Sequence, residues 1–280
     1  MELILGHNKF FGINHKSESL NLKSISQNKI QKILNKSFKL RYDGFMLSTH
    51  PESKKIYGKY LDHNYLEKIN SKPIHLLIPY ALKINKQLNQ FGVVKLFFSK
   101  IFKFSNFTKI SQLLLLKKTF IGILIEIMID DEIKEFPKSK IKCIYLHEII
   151  TDIIVSLNLK NIMIEFLNYC KNNKLLCGLA TRNVIRLHDF LKKNKIKPNR
   201  ILTHLNPKGF SMNPQKLKVE NLIRNEKKID IIAMGIFASG SNYNERSVKN
   251  YLRKFRSLKG LVIGISDIKK LKKNLYLKNI

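Results

Sequence analysis

The chain has 280 residues, 44% of them apolar, and a formal charge of +32 from 52 Lys and Arg against 20 Asp and Glu. That length is long for one sandwich and ordinary for one α/β barrel of about 250 residues, so a single domain over 1–280 with a sizeable core is expected. The charge invites a nucleic-acid or anionic-membrane reading, but only eight of the cations are Arg and the Lys residues are scattered along the whole length. Bidentate recognition of phosphates and bases favours Arg, which argues against specific nucleic-acid binding.

In chain order, Met1 opens onto strand-like ELILG with no charged leader or cleavable apolar segment, which predicts a cytoplasmic protein. A first strand, Leu3 to Leu5, ends in GHNKFFG, where His7, Asn8 and Lys9 stand in place of a Gly-rich dinucleotide turn; this disfavours a doubly wound open sheet. A second, Gly44 to Leu47, runs into Ser48, Thr49 and His50, and a third, Ile74 to Ile78, precedes Tyr80 and Lys83. The stretch from Phe91 to Phe136 is rich in Leu, Ile and Phe, but Lys recurs too often for a spanning helix of about 18 apolar residues. It reads as helices flanking a barrel, as a lid or insertion, or as a basic amphipathic helix lying on a membrane surface.

The second half alternates more regularly. Strands are expected at Ile141 to Leu146, Leu175 to Leu179, Arg200 to His204, Ile229 to Met234 and Leu261 to Ile265, as continuous apolar runs buried on both faces. Helices are expected from Leu159 to Lys171 and from Asn183 to Lys193, where apolar residues recur at three- and four-residue spacing. Asn244 can cap a third, with Val248, Tyr251, Leu252 and Phe255 on one face, and Ser266 or Asp267 can cap the last. Eight strands followed by helices predict a (β/α)8 barrel. Cys143, Cys170 and Cys177 are odd in number, lack metal-ligand spacing and sit in apolar surroundings, as buried free thiols do in a reducing compartment.

In a barrel, chemistry gathers at the C-terminal strand ends. Those ends carry His7, Asn8, Lys9, His50, His147, Glu148, Arg182, His204, Asn206, Lys208, Ser239, Ser266 and Asp267. His147 with Glu148 is the most chemical pair, since a carboxylate can hold or tune an imidazole near neutral pH, provided the strand has ended before Glu148. His50, His147 and His204 could ligate a metal from separate strand ends, but their spacing does not demand it, and no metal is assigned.

With the strand ends laid out, the chain resembles the aldo/keto reductase superfamily, best from Ile141 onward. IKCIYLHE resembles its fourth strand, which ends in a His at the substrate pocket; NIMIEFLNYCKNNKLLCGLATRN resembles the following helix and fifth strand. IIAMGIFASG is similar to the seventh strand and its turn, VIGISDIKKLKKNL to the last strand and cofactor phosphate clamp, and LILGHNKFFG more loosely to the first strand. The resemblance implies NADP binding through Ser266, Lys270 and Asn274, with Ser239 and Asp267 beside them. It also implies a catalytic His147, an acid supplied by Tyr57 or Tyr80, and Lys83 lowering that acid's pKa. The second strand departs from the family: LSTHPESKKIYG puts Ser48 where Asp is usual and Tyr57 later than usual, while Lys83 comes after the expected end of strand three.

Three functions follow. The first is an NADP-dependent oxidoreductase acting on a small carbonyl compound. The second is a non-redox lyase or isomerase for a phosphorylated or carboxylated small molecule, with His147 as acid/base and Lys9 or Lys208 as anion partner. The third is a catalytically inactive basic barrel that binds polyanions or touches a membrane surface peripherally. Substrate identity and oligomeric state are left open by the sequence.

Overall fold

The computed structural model describes residues 1–11, 25–49, 53, 72–79, 119–238 and 244–280. Eight parallel strands close into a barrel in sequence order: β1 (Glu2–Gly6), β2 (Gly44–Ser48), β3 (Ile74–Ile78), β4 (Ile141–Leu146), β5 (Leu176–Thr181), β6 (Arg200–His204), β7 (Asp230–Met234) and β8 (Leu258–Gly264). β8 closes the ring on β1, with Glu2 opposite Gly260 and Gly6 opposite Gly264. The helices are α1 (Gln27–Lys39), α2 (Phe120–Ile133), α3 (Glu148–Ser156), α4 (Lys160–Asn172), α5 (Val184–Asn194), α6 (Lys216–Asn225), α7 (Glu245–Leu252) and α8 (Ile268–Asn274).

Strand alternation divides the core in two. Ile4, Met46, Cys143, Tyr145, Ala180, Leu202 and Ile232 fill the barrel interior. The other face of the same strands, including Leu3, Leu5, Leu47, Leu76, Ile144, Leu179, Ile201 and Leu261, packs with the helices in a larger cluster. Both sides are buried, which is why the strands read as continuous apolar runs; each such side chain taken from water contributes about 1.5–3 kcal/mol. The Tyr145 ring lies against Gly178 of β5, where a Cβ would come within 2.2 Å of it.

The N-terminal end of the barrel holds a polar cluster. Arg200 donates from Nη1 and Nη2 to the two carboxylate oxygens of Glu2, both at 2.9 Å, and Lys142 Nζ donates to Glu2 Oε1 at 2.8 Å. Burial alone would raise the Glu2 carboxyl, but Arg200 and Lys142 overcome it and hold it at about 2. His75 Nε2 lies 3.9 Å from Glu2 Oε2. Burial, helped by the charge of Arg200, pushes His75 down to about 3, so the contact is to a neutral ring and not an ion pair. Both ring nitrogens of His75, Tyr145 Oη and Arg200 Nε are buried without hydrogen-bond partners. A cleft of about 600 Å³ lined by Met1, Glu2, Asp43, Lys142, Leu258 and Lys259 opens at this end.

All eight expected strands are present; β3, β4 and β6 have the expected bounds and the other five differ at their ends. β5 begins at Leu176 and continues to Thr181. β8 begins at Leu258, three residues early, because Ser257-Leu258-Lys259-Gly260 reads as a turn in sequence but bulges into the ladder with β7. The helices expected near Leu159 and Asn183 form as α4 and α5. Asn244 caps α7 by accepting the Arg246 N–H at 2.9 Å, and Asp267 caps α8 by accepting the Lys269 N–H at 2.9 Å. Of the apolar stretch from Phe91 to Phe136, residues 91–118 lie outside the described residues. The described remainder contains α2, which buries Ile123, Ile127, Ile129 and Ile133. Among the described residues no helix is long and apolar enough to cross a membrane. Cys143, Cys170 and Cys177 are free and buried, as the apolar context predicts.

Candidate functional site

β4 ends at Leu146, so His147 is the N-cap of α3 and Glu148 its first residue. His147 Nδ1 accepts the Ile149 N–H at 3.3 Å, which fixes the ring at the start of the helix. With the strand already ended, Glu148 turns toward the mouth, but its partner is not His147. Glu148 Oε1 accepts from Arg182 Nε at 2.8 Å and lies 2.7 Å from Nη2, while Oε2 stands 3.7 Å from His204 Nε2. A carboxylate in the first turn of a helix also suits the helix dipole. Burial would raise the Glu148 carboxyl; His204 and Arg182 overcome it and hold it at about 2. The Arg182 side chain is 50% exposed, against 10% for Glu148 and 9% for His204.

The backbone that carries Arg182 is held by Asp152, four residues after Glu148 and on the same face of α3. Asp152 Oδ1 accepts the Thr181 hydroxyl at 2.5 Å, and Oδ2 accepts the Arg182 N–H at 3.2 Å. Burial raises the Asp152 carboxyl more than these bonds lower it. Asn183 caps α5 by accepting the Arg186 N–H and donates its own N–H to Thr181 Oγ1, so the end of β5 is tied down on both sides of Arg182. Across the mouth, His204 ends β6 with its ring over Gly235, which has φ +64° and where a Cβ would come 2.5 Å from Nδ1. His204 Nδ1 is buried without a hydrogen-bond partner.

A second group forms where β1 and β8 end side by side. Lys9, in the short 3-10 turn after β1, lies over Gly264 at the end of β8, with 3.2 Å between its Cγ and the place of a Cβ there. Burial, and after it the charge of Lys270, lower the Lys9 pKa. Ser266 is half-buried just after that strand.

Other expected site residues stand elsewhere or have other work. His7 is buried and ties β1 to β2 through Met46 O at 2.9 Å and Ser48 Oγ at 3.1 Å. Asn206 is buried and staples its own turn, donating to Phe210 O and accepting the Phe210 N–H, while Lys208 is exposed on that turn. The Asp267 carboxylate is engaged in the α8 cap. Asn274 is buried at the far end of α8 from the mouth. Asn8 is half-buried in the turn beside Lys9. His50, Tyr57, Tyr80, Lys83 and Ser239 lie outside the described residues. Among the described residues no three His, Cys, Asp or Glu side chains are grouped to hold a metal.

Sequence reasoning missed Asp152 and Gly235. The i, i+4 spacing of Glu148 and Asp152 was the available signal for the first. A cleft opens at the N-terminal end, but the half-exposed guanidinium, the His204 and Glu148 pair and Lys9 are all at the C-terminal mouth, where barrel chemistry sits.

No family model matches the sequence, and no curated protein is significantly similar to it. Solved structures of like fold include the protein PA4992 of Pseudomonas aeruginosa, provisionally assigned as an aldo-keto reductase. It has a TM-score of 0.62 and 12% identity over 98% of this chain and 88% of that one. A mutant of the protein Gox0644 in complex with NADPH has a TM-score of 0.53 and 10% identity over 100% of this chain and 84% of the other. At such identities the likeness is one of architecture, and on that ground the chain is a (β/α)8 barrel of aldo/keto-reductase-like fold, divergent in sequence.

Proposed function

We propose that the protein is an oxidoreductase that binds NADP(H) at the β1 and β8 ends and acts on a small carbonyl compound. The observation that carries this reading is Lys9 lying over Gly264 at the end of β8, just before Ser266 and the start of α8, which brings to that strand end a cation that an anion would pair. A phosphate-bearing dinucleotide supplies that anion, and the NADPH-bound neighbour of like fold supports the choice. When bound, the nicotinamide supplies the hydride. This chain's own residues hold the other partner: Glu148 and Arg182 orient, and His204, with Nε2 toward Glu148, exchanges a proton at the substrate oxygen. Tyr57, Tyr80 and Lys83 remain the proposed acid and its tuning cation, with His147 at the pocket edge.

The test is thermal stability with and without saturating NADPH, in about 0.3 M salt to suppress non-specific attraction to the basic surface. A ligand at about a hundred times its Kd adds about 2.7 kcal/mol, a shift of several degrees for a chain of this size. The shift is expected in the native chain and lost in Lys270→Glu. No shift in the native chain overturns the cofactor assignment.

A second reading rests on Arg182 itself. Its Nη1 makes no hydrogen bond among the described residues and half its side chain is exposed, which suits a carboxylate or phosphate on a substrate of non-redox acid–base chemistry. Stabilisation by simple phosphorylated or carboxylated metabolites, lost in Arg182→Met and indifferent to NADPH, would favour it.

A further inference from the structure

Nine large apolar side chains are exposed among the described residues, and eight of them fall between Phe120 and Ile164; the ninth, Leu217, stands alone on α6. Ile149, Ile153 and Leu157 recur every four residues, so they form one stripe along α3 and its C-cap. Leu159 and Ile164 continue it onto α4. Phe120 and Ile121 adjoin it at the start of α2, where Thr119 Oγ1 donates to Glu165 of α4 at 2.8 Å. Contiguous exposed apolar surface of this kind marks an interaction site on a soluble domain.

The charge of the same face narrows the partner. Of the ten exposed residues from Ile149 to Asn168, only Lys160 is charged. From Lys171 to Asn199, by contrast, eight of twelve exposed residues are Lys or Arg. Nucleic acid or an anionic membrane would be drawn to the second kind of surface and not the first. Two copies of a chain with formal charge +32 repel over nearly any facing surfaces. The α3–α4 face, where Lys160 is the one exposed charge from Ile149 to Asn168, is where they can meet with least repulsion, and an isologous contact pairs the apolar stripe with itself. We propose that the exposed α3–α4 face is the interface of a two-fold dimer of this chain.

Sedimentation velocity of the full chain at rising protein concentration tests it. The native chain should dimerise, and more tightly as salt rises to about 0.5 M, because screening removes the net repulsion and leaves the apolar contact. The double variant Ile153→Lys, Leu157→Lys should be monomeric at every concentration, with the Tm the native chain shows when too dilute to dimerise, since both side chains are already exposed. Leu217→Lys should dimerise as the native chain does. A native chain that stays monomeric at high salt overturns the proposal. So does a dimer that survives the double substitution, which would place the contact on another face. Dimerisation that weakens steeply with salt would likewise sink it, because the contact would then be ionic.

Discussion

At its N-terminal end the barrel seats Arg200 on Glu2 with His75 alongside; at its C-terminal mouth it seats Arg182 on Glu148 with His204 alongside. The residue types match and the geometry does not. Arg200 forks onto both oxygens of Glu2, with Lys142 added, and its side chain is 6% exposed. Arg182 puts two nitrogens on a single oxygen of Glu148, leaves the other to His204, and is 50% exposed. Satisfying both oxygens in a buried fork makes a lock, whereas leaving one to a histidine at an open mouth makes a group that can exchange partners. The comparison locates stability at one end and chemistry at the other.

The sharpest way to break that contrast is to remove each guanidinium. Arg200→Met leaves Glu2 with Lys142 as its one remaining cation and should cost about 3 kcal/mol, the lower end for a broken buried pair because Glu2 is partly exposed. Arg182→Met should cost less than Arg200→Met, because half of the Arg182 side chain is already in solvent and His204 stays beside the buried Glu148. Urea unfolding of the two variants checks this; equal losses would show that the mouth is as much a structural lock as the base.

Steric support gives the next largest effect. Gly178→Ala would drive a Cβ to 2.2 Å from the Tyr145 ring inside the barrel and should cost about 2 kcal/mol or more through overpacking. Gly235→Ala meets His204 Nδ1 at 2.5 Å and must also hold φ +64°, so it displaces the ring that faces Glu148. On the proposed oxidoreductase reading, carbonyl reduction should therefore fall further in Gly235→Ala than in Gly178→Ala when both are assayed well below their Tm.

The fold was legible because each strand is an apolar run bounded by polar turns, and that signal needs only local sequence. The caps at Asn244 and Asp267 were legible for the same reason. The mouth cluster was half legible: Glu148, Arg182 and His204 were each expected at strand ends, but that Glu148 turns to His204 and not to its neighbour His147 depends on helix α3 starting at once, which a sequence without Gly or Pro there does not announce. The N-terminal cluster was not read at all. His75 within IHLLI and Arg200 opening RILTH are single polar residues in apolar strands, and only barrel closure brings both to Glu2.

Acid titration separates the two ends without any substitution. The folded His75 is held at about 3 against an ordinary 6.5, chiefly by burial, so the fold favours the neutral ring. Its contribution is complete above pH 6.5 and is lost as pH falls from there toward 3. Glu2 and Glu148 are both held at about 2 against an ordinary 4.5, so their contributions are complete above 4.5 and are lost only below it. Asp152, raised by burial, acts in the opposite direction at the mouth, gaining as it protonates. Between pH 6.5 and 4.5 His75 should therefore cost the N-terminal end stability, by at most about 1.4 kcal/mol per pH unit for one proton. Urea midpoints across that window should slope downward in the native chain and flatten in His75→Leu, while Arg182→Met should keep the native slope. If His75→Leu kept the slope instead, the acid sensitivity would lie outside the N-terminal cluster, and the division between a locked base and a working mouth would lose its electrostatic basis.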